Sequence, residues 1–182
     1  MLFLAGITAI ALIVNSCKKD SQNNIETLLT TNQWQLASVQ VTHYLGSVQQ
    51  GLTDTIGADC TLTEIFKFNA DKTCTYSNFD CVPQNVSGHW ALTSGQLVLT
   101  SDITVKESIT TRDSTATGSE VDTLTTPPAG VTTVTVKPFA TAQIYNLGQY
   151  SLVLKTGDLQ SFYLPTQKRT ITQYGFVRVK AQ

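Results

Sequence analysis

Charge is what this chain has least of. Lysine, arginine, aspartate and glutamate together make up 14% of it, and 12 basic against 13 acidic residues leave a formal net charge of -1. A protein that tracks a phosphate backbone needs a basic stripe that releases counterions, and none can be drawn here, so nucleic-acid binding is disfavoured. Histidine is nearly missing as well. His43 and His89 are the only two, and neither has a cysteine or carboxylate beside it at ligand spacing. They read as surface or rim residues, not as a zinc or catalytic pair. No Gly-x-Ser-x-Gly elbow, phosphate loop, dinucleotide fingerprint or His-Glu-x-x-His pair occurs. The nearest acidic pairs, Glu120 with Asp122 and Asp54 with Asp59, fall in segments that read as solvated loops, which gives paired-carboxylate chemistry no support. The expectation is a non-enzyme with no cofactor and no metal.

Long apolar runs are absent except at the beginning, where Leu2 to Val14 is almost uninterrupted. That is short for a bilayer span and has the length of a signal-peptide core. Small polar residues then lead to a cysteine, and Val14-Asn15-Ser16-Cys17 resembles the lipobox of bacterial lipoproteins. Ser-Cys-Lys-Lys-Asp at 16–20 resembles lipoprotein starts common in Bacteroidota. The resemblance implies a signal peptide over 1–16, cleavage before Cys17 and acyl chains on that residue. Each buried methylene is worth about 0.8 kcal/mol, so two or more chains anchor a protein stably. Lys18 rather than Asp follows the cysteine, so the usual inner-membrane retention signal is lacking and an outer-membrane address is implied, on a face left open. Residues 17–24 then form a lipidated tether.

The remainder, 25–182, is the size of one domain. With 41% apolar residues it has enough for a core. Asn24 can cap a short helix over Ile25 to Thr31. From Trp34 onward the apolar residues alternate. Strands are expected near Gln33–Tyr44, Thr61–Phe68, Thr73–Asn78, Val86–Thr93, Gln96–Thr100 and Ile103–Ile109, then near Val131–Lys137, Ala142–Asn146, Tyr150–Lys155, Gln160–Leu164 and Arg169–Val179. Short Asn, Asp, Gly and Ser turns join them, and many short antiparallel strands with one apolar face must close or stack. Ser108 to Gly130, rich in Thr and Ser and carrying Pro127 and Pro128, interrupts the pattern as a long loop.

Period-2 counting places Phe66, Phe68, Val86, Trp90, Leu92, Leu97, Leu99, Leu152, Leu154, Phe162 and Leu164 on the inner face. Trp34, Tyr76 and those same aromatic and leucine side chains would line a ligand cavity if the centre is open, and a solid core if it is not; pattern alone leaves both open.

A short helix, Trp34 opening the first strand, Phe66-Lys67-Phe68-Asn69-Ala70-Asp71-Lys72-Thr73, and Gly88-His89-Trp90-Ala91-Leu92 together resemble the lipocalin-like domains of Bacteroidota lipoproteins. The resemblance implies an all-β, antiparallel up-and-down barrel of about eight strands, with room for a small apolar ligand, in a monomer. Lys72 stands where that family has Gly, and a left-handed Lys costs about 1 kcal/mol.

With Cys17 given to lipid, Cys60, Cys74 and Cys81 remain for an oxidising compartment. If Asn69 to Thr73 is a hairpin turn, counting outward sets Cys60 opposite Cys81 or its neighbour, while Cys74 points inward with Tyr76. A Cys60–Cys81 disulfide and a buried free Cys74 are expected. Asp54-Thr55-Ile56, Asp113-Ser114-Thr115 and Asp122-Thr123-Leu124 resemble the acceptor pattern of Bacteroidota O-glycosylation, which implies sugars on Thr55, Ser114 and Thr123 in loops.

Overall fold

A computed structural model describes residues 24–57, 60–93, 97–109, 132–160 and 162–179. Residues 24–30 form a helix, α1. The strands that follow are β1 (Gln33–Leu45), β2 (Val48–Ile56), β3 (Ile65–Phe68), β4 (Thr73–Ser77), β5 (Asn85–Leu92) and β6 (Val98–Ser101). After them come β7 (Val105–Ile109), β8 (Thr132–Val136), β9 (Ala142–Leu147), β10 (Ser151–Gly157) and β11 (Lys168–Val179). A 3-10 turn, Phe79–Cys81, joins β4 to β5.

Eight strands close into an antiparallel barrel in the order β1, β3, β4, β5, β6, β9, β10, β11, the last pairing back onto β1. Ring neighbours follow one another in sequence apart from two insertions, so the barrel is up-and-down. β2 folds back on the second half of β1, and β7 and β8 pair only with each other.

The β3–β4 hairpin shows how local chemistry sets the register. Asp71 Oδ1 accepts from both the amide and the hydroxyl of Thr73, at 2.9 and 2.7 Å, and the Lys72 amide donates to the Asn69 carbonyl. This fixes Phe68 opposite Cys74. Alternation then turns Phe66, Phe68, Cys74 and Tyr76 inward, all buried.

The barrel centre is filled. Phe139, which lies between β8 and β9, sits with its ring centroid 5.0 Å from those of Phe66 and Tyr174 and 5.7 Å from that of Tyr76. Phe66 in turn meets Phe68 at 4.1 Å. α1 closes one end: Leu29 is buried and its carbonyl accepts from the Trp34 indole N–H at 3.0 Å. At the same end the Trp90 indole donates to the Asn69 carbonyl.

β1 is longer than the ring requires. Its first residues, Gln33 to Gln35, pair with β3, and beyond Val39 the same edge pairs with β2. Between the two stretches the β1–β11 register slips at Leu36/Ser38, a bulge that bends the strand. Gly175 faces it, and a Cβ there would lie 2.6 Å from Ser38 Oγ, so glycine gives the bulge its room. Past this point β1, β2 and the first half of β11 run on as an arm beyond the barrel mouth.

Several sequence expectations give way here. Residues 48–56 were expected in a loop but form β2, every residue of which is exposed, because the backbone of overhanging β1 offers a ladder that needs no apolar face. Described residues of Gln160–Leu164 are not strand and pair with no other described strand; Phe162 and Leu164 are exposed, not inward. Leu97 is exposed because β6 begins only at Val98, so ladder parity does not reach it.

Candidate functional site

The barrel end opposite α1 is open and holds a cavity of about 670 Å³. The bulged arm supplies one wall through Leu36, Val39 and Val41 of β1, Thr55 and Ile56 of β2, and Thr172 and Tyr174 of β11. The opposite rim is the segment from Cys60 to Glu64 with the 3-10 turn, and Glu107 of β7 completes the lining.

Two devices hold that rim. The Cys60–Cys81 disulfide joins it with a Cα–Cα distance of 5.6 Å, as the register count anticipated, while Cys74 is buried and free. Buried Glu64 accepts from the Tyr76 hydroxyl at 3.1 Å and the Cys81 amide at 3.3 Å. The turn needs both, because Asn78, Asp80 and Cys81 all have positive φ, at 60, 51 and 57°. The Asp80 carboxylate is occupied too, accepting from the amide and hydroxyl of Ser108 at 2.7 Å each.

Electrostatically the cavity is one-sided. Glu64, Asp80 and Glu107 line it and, among the described residues, no Lys, Arg or His does. Burial raises the Glu64 carboxyl above its ordinary value against the opposing effect of its hydrogen bonds, and burial together with the Asp80 charge raises Glu107. Burial likewise raises the hydroxyls of Tyr76 and Tyr174.

None of the side chains expected to line a ligand cavity lines this one. Trp34, Phe66, Phe68, Tyr76, Trp90, Leu99, Leu152 and Leu154 are buried as the solid core, Leu92 packs against it, and Leu97 and Phe162 face outward. Thr55, expected in a loop as a sugar acceptor, is exposed in β2, paired with Gln40 and at the cavity wall. Cys17, Ser114 and Thr123 lie outside the described residues. Glu64 was missed, although its parity with Phe66 and Phe68 marks it as inward.

His89 Nδ1 lies 3.2 Å from Asp102 Oδ2 on an exposed surface, and the His89 amide and then its ring lower the Asp102 carboxyl. His43 lies beside Thr170 and Asp54. Among the described residues no group of three or more His, Cys, Asp or Glu is placed to hold a metal. Compared with protein-family models, curated proteins and solved structures, the chain matches none.

Proposed function

We propose that this chain is an exported lipoprotein, anchored by acyl chains on Cys17, whose lipocalin-like barrel takes a small amphipathic molecule at its open end and not in its centre. The observation that carries the reading is the 670 Å³ cavity on top of a filled aromatic core. Val39, Val41 and Phe79 offer an apolar wall, and Glu107 and Thr172 offer polar partners. A fatty-acid carboxylate has no cation to meet there among the described residues, so an uncharged or cationic head group is favoured over the purely apolar ligand that the barrel pattern suggested. A disulfide beside a buried free thiol suits an oxidising compartment.

Calorimetric titration of the full chain with decylamine, decanol and decanoate tests the site. Amine and alcohol should bind, decanoate should not, and Glu107→Gln should remove the preference for amine over alcohol. Equal binding of decanoate, or no binding of any, overturns it. For the anchor, Cys17→Ser should move the protein from the membrane fraction to the soluble exported fraction; unchanged fractionation rejects lipidation. The filled centre favours a second reading, a non-catalytic interaction protein displayed at the outer membrane, and silence of all three titrations would support it.

A further inference from the structure

We infer that the tip of the arm is a contact surface for an anionic lipid bilayer. Two adjacent turns form it, the β1–β2 turn and the segment from Phe162 to Gln167, tied together by the Gly46 amide donating to the Gln167 carbonyl at 2.8 Å and by pairing of Leu45 with Lys168. Phe162 is 91% exposed, Leu164 70% and Val48 63%, with Leu45 beside them. Water-exposed apolar side chains concentrated on two neighbouring turns mark a contact site.

The aromatic and charged groups around them identify the partner. Tyr163 and Tyr44 come next, and between them lies buried Arg169, its guanidinium 3.7 Å from the Tyr163 ring and 5.1 Å from the Tyr44 ring. Among the described residues Arg169 donates only to the carbonyls of Gly46 and Asp158, and Lys168 has no ion pair. A depression of about 330 Å³ opens beside Lys168 and Arg169. No aspartate or glutamate occurs from 27 to 53 or from 159 to 182. Among the described residues the nearest acids are Asp54, level with Val41, and Asp158, level with Thr170 and one rung from Arg169.

The ladder sets Leu45 level with Lys168 and Tyr44 level with Arg169, so exposed apolar side chains, aromatic rings and a free cation share one end of the arm. That combination suits an anionic membrane interface: acyl chains for the apolar groups, the carbonyl region for the tyrosines and phosphates for Lys168 at the end of its long stem. A flat or convex protein partner would leave Phe162 and Leu164 projecting with nothing to enter. The tip is separated from α1 by the length of β1, about 40 Å for 13 residues, so this contact is distinct from an anchor at Cys17.

The test uses the full chain carrying Cys17→Ser, which cannot be acylated, in flotation with vesicles of phosphatidylcholine alone or mixed with phosphatidylglycerol. Binding should require phosphatidylglycerol, weaken with salt, fall by at least about tenfold in Phe162→Asp/Leu164→Asp, and lose its anionic preference in Lys168→Glu. An unchanged near-ultraviolet circular dichroism spectrum shows that the exposed substitutions leave the fold intact. No flotation with either vesicle, equal binding of the double variant, or equal binding to phosphatidylcholine overturns the proposal. A concentration-dependent dimer abolished by Phe162→Asp, without flotation, assigns the tip to a second copy of the chain and overturns it as well. None of these outcomes bears on lipidation of Cys17, which is absent from the experiment.

Discussion

Tyr76 donates its phenolic hydrogen to Glu64 Oε2 inside the barrel, and the other oxygen of the same carboxylate takes the Cys81 amide. One buried acid thus ties the core to the strained turn that forms the cavity rim. Glu64→Ala should cost about 2 kcal/mol in urea denaturation, because it strips a buried hydroxyl and an amide of their acceptor. Burial raises the Glu64 carboxyl in the folded state. Its stabilising contribution is therefore complete at acid pH, below the unfolded value, and is lost as pH rises through the folded value. Relative to Glu64→Gln, the native chain should lose stability as pH rises from the ordinary carboxylate range through the raised folded value; a difference that stays constant from acid to neutral pH would show that folding does not shift the titration of Glu64.

The disulfide closes a loop with a sequence separation of 21 residues. Chain-entropy accounting puts its contribution at about 3 kcal/mol. The Cys60→Ala/Cys81→Ala variant should show that loss at equilibrium while keeping the far-ultraviolet signature of the barrel, since none of the eight ring strands carries either cysteine. A loss below about 1 kcal/mol would mean that Glu64 holds the rim by itself.

The barrel was legible where local chemistry and tertiary pairing agree. At 69–73 the Asx turn fixes a register, the register fixes parity, and parity predicts buried Phe66, Phe68, Cys74 and Tyr76 together with the Cys60–Cys81 bridge. What could not be read lies where pairing acts alone. β2 carries no buried face, so Gln49-Gln50-Gly51 looks like a turn until overhanging β1 is there to pair with it. Phe79 and Phe139, two of the packed rings, sit in turns outside any periodic run. Phe162 and Leu164 alternate as an inward strand would, but no described strand pairs beside them. The cavity follows from the bulge at Leu36/Ser38 and the length of β1, both long-range properties.

Cys74 is held beside Ser101 Oγ, with Sγ 3.4 Å away, and burial pushes its thiol up to about 11. At pH 8 only about one thiol in a thousand is then the reactive thiolate. Iodoacetamide mass labelling should leave the native chain bearing Cys17→Ser unmodified over hours and add one label in urea. Rapid labelling of the native chain would show the barrel wall opening at Cys74.

Lys72 occupies a left-handed conformation, φ 69°, that glycine takes without penalty. Its side chain explains why lysine is accommodated: the ammonium lies 2.7 Å from Glu26 of α1 and 4.3 Å from the centroid of the Trp90 ring, so it links the helix to the hairpin that it caps. Both charged groups are partly exposed, which holds the ion pair to well under about 1 kcal/mol, and the cation–ring contact adds about 0.5–1 kcal/mol. The backbone penalty is about 1 kcal/mol. Strain and contacts therefore nearly offset each other, and Lys72→Gly should leave stability within about 0.5 kcal/mol of the native chain. Lys72→Ala keeps the strain and loses the contacts, so it should be less stable than Lys72→Gly by about 1 kcal/mol, a gap that parallel urea titrations resolve. Alanine equal to glycine would mean that the turn relaxes out of the left-handed region, and glycine well above the native chain would mean that the contacts to Glu26 and Trp90 contribute nothing.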